Sequence, residues 1–408
     1  MRRRVVVTGM GGVTALGEDW PSILASMKAA KTGVRQMPEW ERFPSLNTRL
    51  AAPIVGFDVS RRYDRKKLRS MGPVSRMAVY ATERAIADAG LAGEPVIADG
   101  RAGIAYGSSF GSPNAVLGFA ELMSTGASSQ LNATSYLQMM SHTAAVNIGV
   151  FFGVTGRIIP TSTACTSGSH AIGYGAETIR YGMQDLMIVG GADELSVFEA
   201  AVFDTLFATS TRNGSPDQTP RPFDRDRDGL VIGEGAATLI LEEYEHARAR
   251  GARIHAELVG YGTNSDGNHI TQPSPSTMAA ALRLAMADAC LPPEAIGFVN
   301  GHGTATEWGD IAESQATSEV LGKRAPIHSL KSYFGHSLGA CGSIEAWLGI
   351  EMMREKWFAP TANLENVDKR CGELDYIIGT GRKLDCEYLM SNNFAFGGIN
   401  TSLIFRRV

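Results

Sequence analysis

Three short stretches hold residues able to do covalent chemistry. In Thr161-Ser162-Thr163-Ala164-Cys165-Thr166-Ser167-Gly168-Ser169-His170, a cysteine stands among small residues, behind Ile158 and Ile159 and ahead of a helical pattern over 171–180. A strand-to-helix turn there would put Cys165 at a helix N-terminus, where free N–H groups and the positive dipole end favour thiolate over thiol. Small neighbours would let a carbonyl approach the sulfur. A lone cysteine is more often a small buried hydrophobe, but two histidine motifs weigh against that reading here. Asn300-Gly301-His302-Gly303-Thr304-Ala305-Thr306 follows an apolar run, which places His302 at a strand end. Lys331-Ser332-Tyr333-Phe334-Gly335-His336-Ser337-Leu338-Gly339 sets His336 on a glycine-flanked turn before a helix expected over 343–353. Taken singly, a histidine beside glycine is usually a satisfied loop residue. A thiol and two imidazoles on separate strand ends form a set suited to thioester chemistry, and in open α/β sheets such ends converge at the carboxyl edge.

The elements that must position them are legible as short β-branched runs ending in glycine or a turn. Strands are expected at Val5–Thr8, Gly103–Tyr106, Leu186–Val189, Thr238–Leu241, Phe298–Asn300 and Ser402–Phe405. Helical patterns lie between them at Met77–Ala89, Ser169–Arg180 and Met278–Ala289. This alternation predicts an α/β fold with a mostly parallel sheet. A helix at Tyr244–Arg250 followed by Gly251 divides the chain into 1–250 and 251–408. Each part carries a strand, small-residue turn and helix (Ile158–Ser169, Ile327–Ile344) and closes on a strand behind a glycine-rich turn.

Composition narrows the class. The 408 residues are 44% hydrophobic and 20% charged, which excludes disordered, collagenous and coiled-coil chains. A formal charge of −4 argues against a nucleic-acid coat. Cysteines 165, 290, 341, 371 and 386 form no CxxC pair, so free thiols in a reducing, cytoplasmic setting are expected. Arg2 to Arg4 precede Val5 to Val7, but Thr8 and Gly9 end that run too early for an export signal. Residues 122–156 contain no Asp, Glu, Lys or Arg, yet are too polar to cross a bilayer. Burial against a twin subunit is the expectation for that stretch.

Further motifs stand in order along the chain: Arg4-Val5-Val6-Val7-Thr8-Gly9-Met10-Gly11, Arg221-Pro222-Phe223-Asp224-Arg225-Asp226-Arg227-Asp228-Gly229 and Ser391-Asn392-Asn393-Phe394-Ala395-Phe396-Gly397-Gly398-Ile399-Asn400. With the Cys and His motifs, they make the chain resemble the elongating β-ketoacyl-acyl-carrier-protein synthases, condensing enzymes of the thiolase fold. The resemblance implies a five-layer αβαβα sandwich of two similar halves, dimeric, joining an acyl group to malonyl-acyl carrier protein with loss of CO₂. It implies that Cys165 is the acyl-accepting nucleophile and that His302 and His336 are the active-site histidines. Lys331 and Glu345 follow as their ordering pair, and Phe396 as the gating aromatic whose backbone N–H joins that of Cys165 in an oxyanion hole. Thr304 and Thr306 would bind the phosphopantetheine arm, which the carrier protein brings, so no cofactor of the enzyme's own and no metal is expected. Phe110 and Phe394 would border the acyl pocket.

Residues 61–76 carry seven basic side chains against Asp64 alone. Such a run is commonly just a solvated face; for a synthase of this kind it implies docking of an acidic carrier protein, with Lys66, Arg69 and Arg212 as contacts. Glu307-Trp308 after Thr306, Tyr333-Phe334 before Gly335 and Ala395 in the gate depart from the housekeeping pattern. They leave fatty-acid elongation and specialised polyene or polyketide elongation both open. The partner is equally open: a homodimer, or a heterodimer with a chain-length-factor-like subunit. Three other classes have a foothold in the sequence. Gly107-Ser108-Ser109-Phe110-Gly111 matches a serine-hydrolase elbow, and Gly9-Met10-Gly11-Gly12-Val13-Thr14 begins like a dinucleotide loop but has Thr14 where the last glycine belongs. A non-catalytic partner subunit is a third alternative, opposed by the presence of Cys165.

Overall fold

The computed structural model describes residues 2–408. Eleven strands form its sheet system: β1 Val5–Thr14, β2 Ala102–Gly107, β3 Ile158–Thr161, β4 Leu186–Asp193, β5 Gly235–Glu243, β6 Ala256–Ser265, β7 Ile296–Asn300, β8 Pro326–His328, β9 Asp375–Tyr376, β10 Tyr388–Ala395 and β11 Ile399–Arg407. Their spatial order is β9-β8-β7-β10-β11-β6-β1-β5-β4-β2-β3. At the middle, β1 and β6 pair only through Val6 with Glu257 and Val7 with Ala256. On either side of that narrow seam lies one sheet, and the two follow the same plan, with β1, β5, β4, β2 and β3 answering to β6, β11, β10, β7 and β8.

The expectation of a mostly parallel sheet does not hold. Parallel pairing in this sheet is confined to the flanks, where β2 meets β3 and β4, β7 meets β8 and β10, and β8 meets β9. From β4 through β5, β1, β6 and β11 to β10, every pairing is antiparallel. A strand buried on both faces reads as a continuous apolar run whichever way its neighbours point, so direction was invisible in the sequence. Several strands also run longer than expected. β1 continues through Gly9, Gly11 and Gly12 to Thr14 because a side chain at Gly9 or Gly11 would strike the helix above it, at Ala85 or Arg84. What begins like a dinucleotide loop is therefore the second half of a strand.

Helices α1 Pro73–Asp88 and α2 Thr143–Phe152 cover the outside of the first sheet. Helices α5 Pro275–Ala289 and α6 Glu307–Leu321 take the corresponding places on the second. Helices α3 Ser167–Arg180 and α8 Cys341–Glu355 pack on each other and touch strands of both sheets, forming the middle layer. The result is the five-layer αβαβα sandwich. Helix α4 Val197–Thr205 and the single turn α7 Lys331–Phe334 complete the frame around the site. Among the described residues, no helix is long and apolar enough to cross a membrane.

Candidate active site

Cys165, His302 and Lys331 follow the carboxyl ends of β3, β7 and β8, and His336 follows α7. The turn presenting Cys165 is tight. Ala164 adopts φ +49°, a region costly for any residue with a Cβ. Thr166 N–H and Ser167 N–H bond back to the Thr163 and Ala164 carbonyls at 3.2 and 3.1 Å, and Thr163 N–H donates to Ser167 Oγ at 2.9 Å. Cys165 thus ends two residues ahead of α3, buried, with its Sγ 2.9 Å from His336 Nε2. The backbone of His336 is pinned between Val231 and Gly233 of the other half.

Hydrogen bonds fix both imidazoles. Leu338 N–H donates to His336 Nδ1 at 3.2 Å, so the ring's proton lies on Nε2, toward the sulfur. On His302, Nδ1 faces the Lys331 ammonium at 3.0 Å, leaving the proton on Nε2 and the cavity side. The rings meet edge to face at 5.2 Å. Burial first, and then the Lys331 charge, hold both well below the usual imidazole range, so both are neutral. Lys331 itself pairs with Glu345 at 2.5 Å. Burial pulls the ammonium down, but Cys341 and the Glu345 and Glu313 carboxyls outweigh it, and Lys331 stays a cation.

The sulfur departs from expectation. Burial pushes the Cys165 thiol up to about 12, with Lys331 drawing it back and Asp193 opposing. A helix N-terminus alone does not make a thiolate where desolvation is this strong. In the resting site the group is a thiol, and its anion forms only as it reacts.

A cavity of about 560 Å³ opens over Cys165, His302 and His336, walled by Thr304, Thr306, Phe394 and Phe396 among others. Thr304 and Thr306 share a hydroxyl hydrogen bond of 2.8 Å. Their turn is strained at Ala305, φ +64°, and held by Asp310, which accepts from Ala305 N–H, and by Arg227, which donates to the Thr306 and Glu307 carbonyls. Phe394 lies edge-on to His302 at 6.3 Å. Phe396 caps the β10–β11 hairpin, 37% exposed, against Phe203 of α4 at 5.2 Å. Phe110 does not reach this wall; its ring packs on Phe198 at 5.4 Å, because the loop after β2 turns away toward α4. Lys66 and Arg69 are exposed on and just after the short helix Arg65–Leu68, each without an ion-pair partner among the described residues. Arg212 is half-buried and pairs with Asp228, itself on the cavity wall.

Ser109, the elbow serine, donates to the buried Asp193 at 2.7 Å, as do Ser108 and Gly339 N–H. No histidine joins this group, so the hydrolase alternative has no base. Cys165, His302 and His336, and separately His302, Cys341 and Glu345, bring donor atoms within 4.8 Å of one another. In the second group a cation would meet the Lys331 ammonium, which already faces His302 Nδ1 and Glu345. Three members of the site went unread in the sequence. Glu313 accepts the His302 and Gly303 N–H groups at 2.6 and 2.7 Å, Asp193 ties the His336 turn to β2, and Asn393 bridges Glu345 and His302. Only Asn393 lay inside a recognised motif.

The family model "Beta-ketoacyl synthase, N-terminal domain" matches residues 2–247, and "Beta-ketoacyl synthase, C-terminal domain" matches residues 255–365. The chain is 38% identical over 416 residues to the 3-oxoacyl-[acyl-carrier-protein] synthase 2 of Vibrio cholerae, covering 100% of both proteins. A crystal structure of a β-ketoacyl synthase from Burkholderia phymatum STM815 superposes with a TM-score of 0.98 at 61% identity, again with 100% of each chain covered. The structure described as the ishigamide ketosynthase/chain length factor gives a TM-score of 0.92 at 30% identity, with 100% of each covered. With Cys165 facing two neutral histidines at the joint of a doubled αβαβα sandwich, and with both domain models matched, the chain belongs to the β-ketoacyl synthase family.

Proposed function

We propose that this chain lengthens an acyl group by decarboxylative condensation with malonyl-acyl carrier protein. The observation that carries the reading is the Cys165 sulfur 2.9 Å from a neutral His336 whose protonated Nε2 faces it, with His302 held in the same tautomer. In the first half-reaction the sulfur attacks an acyl thioester, and backbone N–H groups of Cys165 and Phe396 take the developing oxyanion. His336 Nε2 already holds a proton, so it is no base; the thiol proton leaves with the departing carrier thiol. In the second half-reaction a malonyl thioester occupies the same cavity and loses CO₂. The electron pair of the broken C–C bond becomes an enolate, which the two Nε2–H donors stabilise. The enolate carbon attacks the Cys165 thioester, a 3-oxoacyl chain two carbons longer leaves on the carrier, and the released sulfur regains a proton from water.

The phosphopantetheine arm arrives with the carrier protein, past Thr304 and Thr306, and the enzyme needs no cofactor of its own. Lys66 and Arg69 provide an uncompensated positive patch for an acidic carrier; Arg212, already paired with Asp228, contributes less. The chain works as a dimer of identical subunits through the open edge of β3. Elongation within fatty-acid synthesis is the favoured pathway, in line with the relative from Vibrio cholerae. The intact-mass spectrum after incubation with a panel of acyl-carrier proteins tests the whole scheme. An acyl adduct on the wild type and none on Cys165→Ala, which also loses all condensation, is the expected result. Carbon–carbon bond formation by Cys165→Ala would end the proposal.

A further inference from the structure

We propose that Asn393 is a positioning residue for the condensation step: together with Lys331 it holds the His302 proton on Nε2, so that this ring meets the malonyl thioester as a donor. The inference rests on the condensation reading above and assigns a role to a side chain outside the Cys-His-His-Lys-Glu set.

The geometry begins at His302 Nδ1, which faces Lys331 Nζ at 3.0 Å and Asn393 Nδ2 at 3.3 Å. Both are donors only, so Nδ1 must present its lone pair. The orientation of the amide is itself determined. Asn393 Nδ2 also donates to Glu345 Oε2 at 2.6 Å, and turning the amide over would set Oδ1 against that carboxylate. The site instead leaves Asn393 Oδ1 buried with no partner. An unpaired buried carbonyl is costly, and it is tolerated here to keep the N–H₂ between Glu345 and His302. Room for the amide comes from Gly342 on α8, where a Cβ would lie 2.7 Å from Asn393 Oδ1. The Asn393 backbone is fixed in β10 by its pairing with Thr401, whose hydroxyl donates to the Asn393 carbonyl at 3.1 Å.

Glu345 is thereby shared between Lys331 and Asn393 and cannot swing away from either. The remaining groups facing His302 are His336, Cys165, Cys341 of α8 and Glu313 of α6, the last accepting from the His302 backbone N–H. None of these places a second carboxylate beside Nδ1. An aspartate at position 393 would do so.

Two variants and one spectrum test this. Asn393→Leu keeps the volume and removes the donor; malonyl-thioester decarboxylation should fall about tenfold, the rate equivalent of one net hydrogen bond, while Cys165 acylation stays within about twofold. Asn393→Asp keeps the shape and replaces the donor facing Nδ1 by a carboxyl oxygen, while its second oxygen shares a proton with Glu345; the acid limb of its decarboxylation profile should move up by about one pH unit or more, as an acceptor that close to Nδ1 requires. In ¹⁵N-histidine NMR of the wild type, His302 should show an unprotonated Nδ1 and a protonated Nε2. Unchanged decarboxylation in the leucine variant, an unmoved acid limb in the aspartate variant, or a protonated Nδ1 in the wild type would each overturn the assignment. If neither variant folds, the spectrum decides alone. Failure of the condensation reading is distinguishable, because it would appear as Cys165-independent turnover whatever stands at 393.

Discussion

Cys165 reaches His336 Nε2 at 2.9 Å and is nonetheless pushed up to about 12, because few neighbours compensate its loss of water. The same burial keeps His302 and His336 neutral. An imidazolium would stabilise a thiolate; a neutral ring instead serves as the donor an enolate needs. On the mechanism proposed above, the two Nε2–H groups are the donors that meet the enolate of the second half-reaction. Alkylation by iodoacetamide follows the thiolate fraction. With the folded value far above neutrality, the rate at Cys165 should climb tenfold per pH unit from about pH 7 to about pH 10 without levelling. A plateau before about pH 9 would mean that the Nε2–H and the N–H groups ahead of α3 outweigh desolvation. Mass-spectrometric counting separates this site from the exposed Cys290.

At the scale of elements, α3 and α8 decide how closely the catalytic groups meet. The strands ahead of them and the turns between were legible, because β-branched runs end in small-residue turns and helical periodicity follows. That is why Cys165, His302 and His336 stood out from their local context, whereas Lys331 and Glu345 came from the family resemblance alone; the structure places all five within one cluster. Asn393, Glu313 and Asp193 were not legible as members of the network, since each bonds across ten residues or more and no local period records that. Strand direction was not legible either, because it depends on neighbours in space. The approach of the two helices rests on glycine. At Gly342 a Cβ would come within 2.7 Å of Asn393 Oδ1 and 2.8 Å of Ser169 Oγ. Gly342→Ala should therefore lower unfolding free energy by about 1–3 kcal/mol, the usual cost of overpacking. It should also slow decarboxylation more than Cys165 acylation, because the first atom displaced belongs to Asn393. Equal losses in both half-reactions would show instead that the helices separate as a unit.

For the whole molecule, the doubling of the fold explains where the site is. Cys165 comes from the first half, His302, Lys331 and Glu345 from the second, and His336 is pinned by Val231 and Gly233 across the joint, so neither half holds a working set. The doubling also leaves the sheet with two unlike ends. On one, the two-residue β9 closes the row beyond β8. On the other, β3 pairs with β2 alone and its outer edge is open. Open edges are normally blunted by charge or proline tips. Here Pro160 lies within β3 and the exposed Arg157 precedes it, but no charged residue occurs in 122–156, where Val150 and Met123 stand 83% and 85% exposed. An apolar, uncharged border along an unpaired strand is the surface a second copy would cover. Sedimentation equilibrium at about micromolar concentration, where an obligate interface of standard size stays closed, should give twice the chain mass. The pair Val150→Arg and Ile158→Arg, which sets like charges on both sides of a two-fold contact, should give the single mass without loss of the folded circular-dichroism spectrum. A wild type that sediments as one chain, or a double variant that stays paired, would move the interface away from β3.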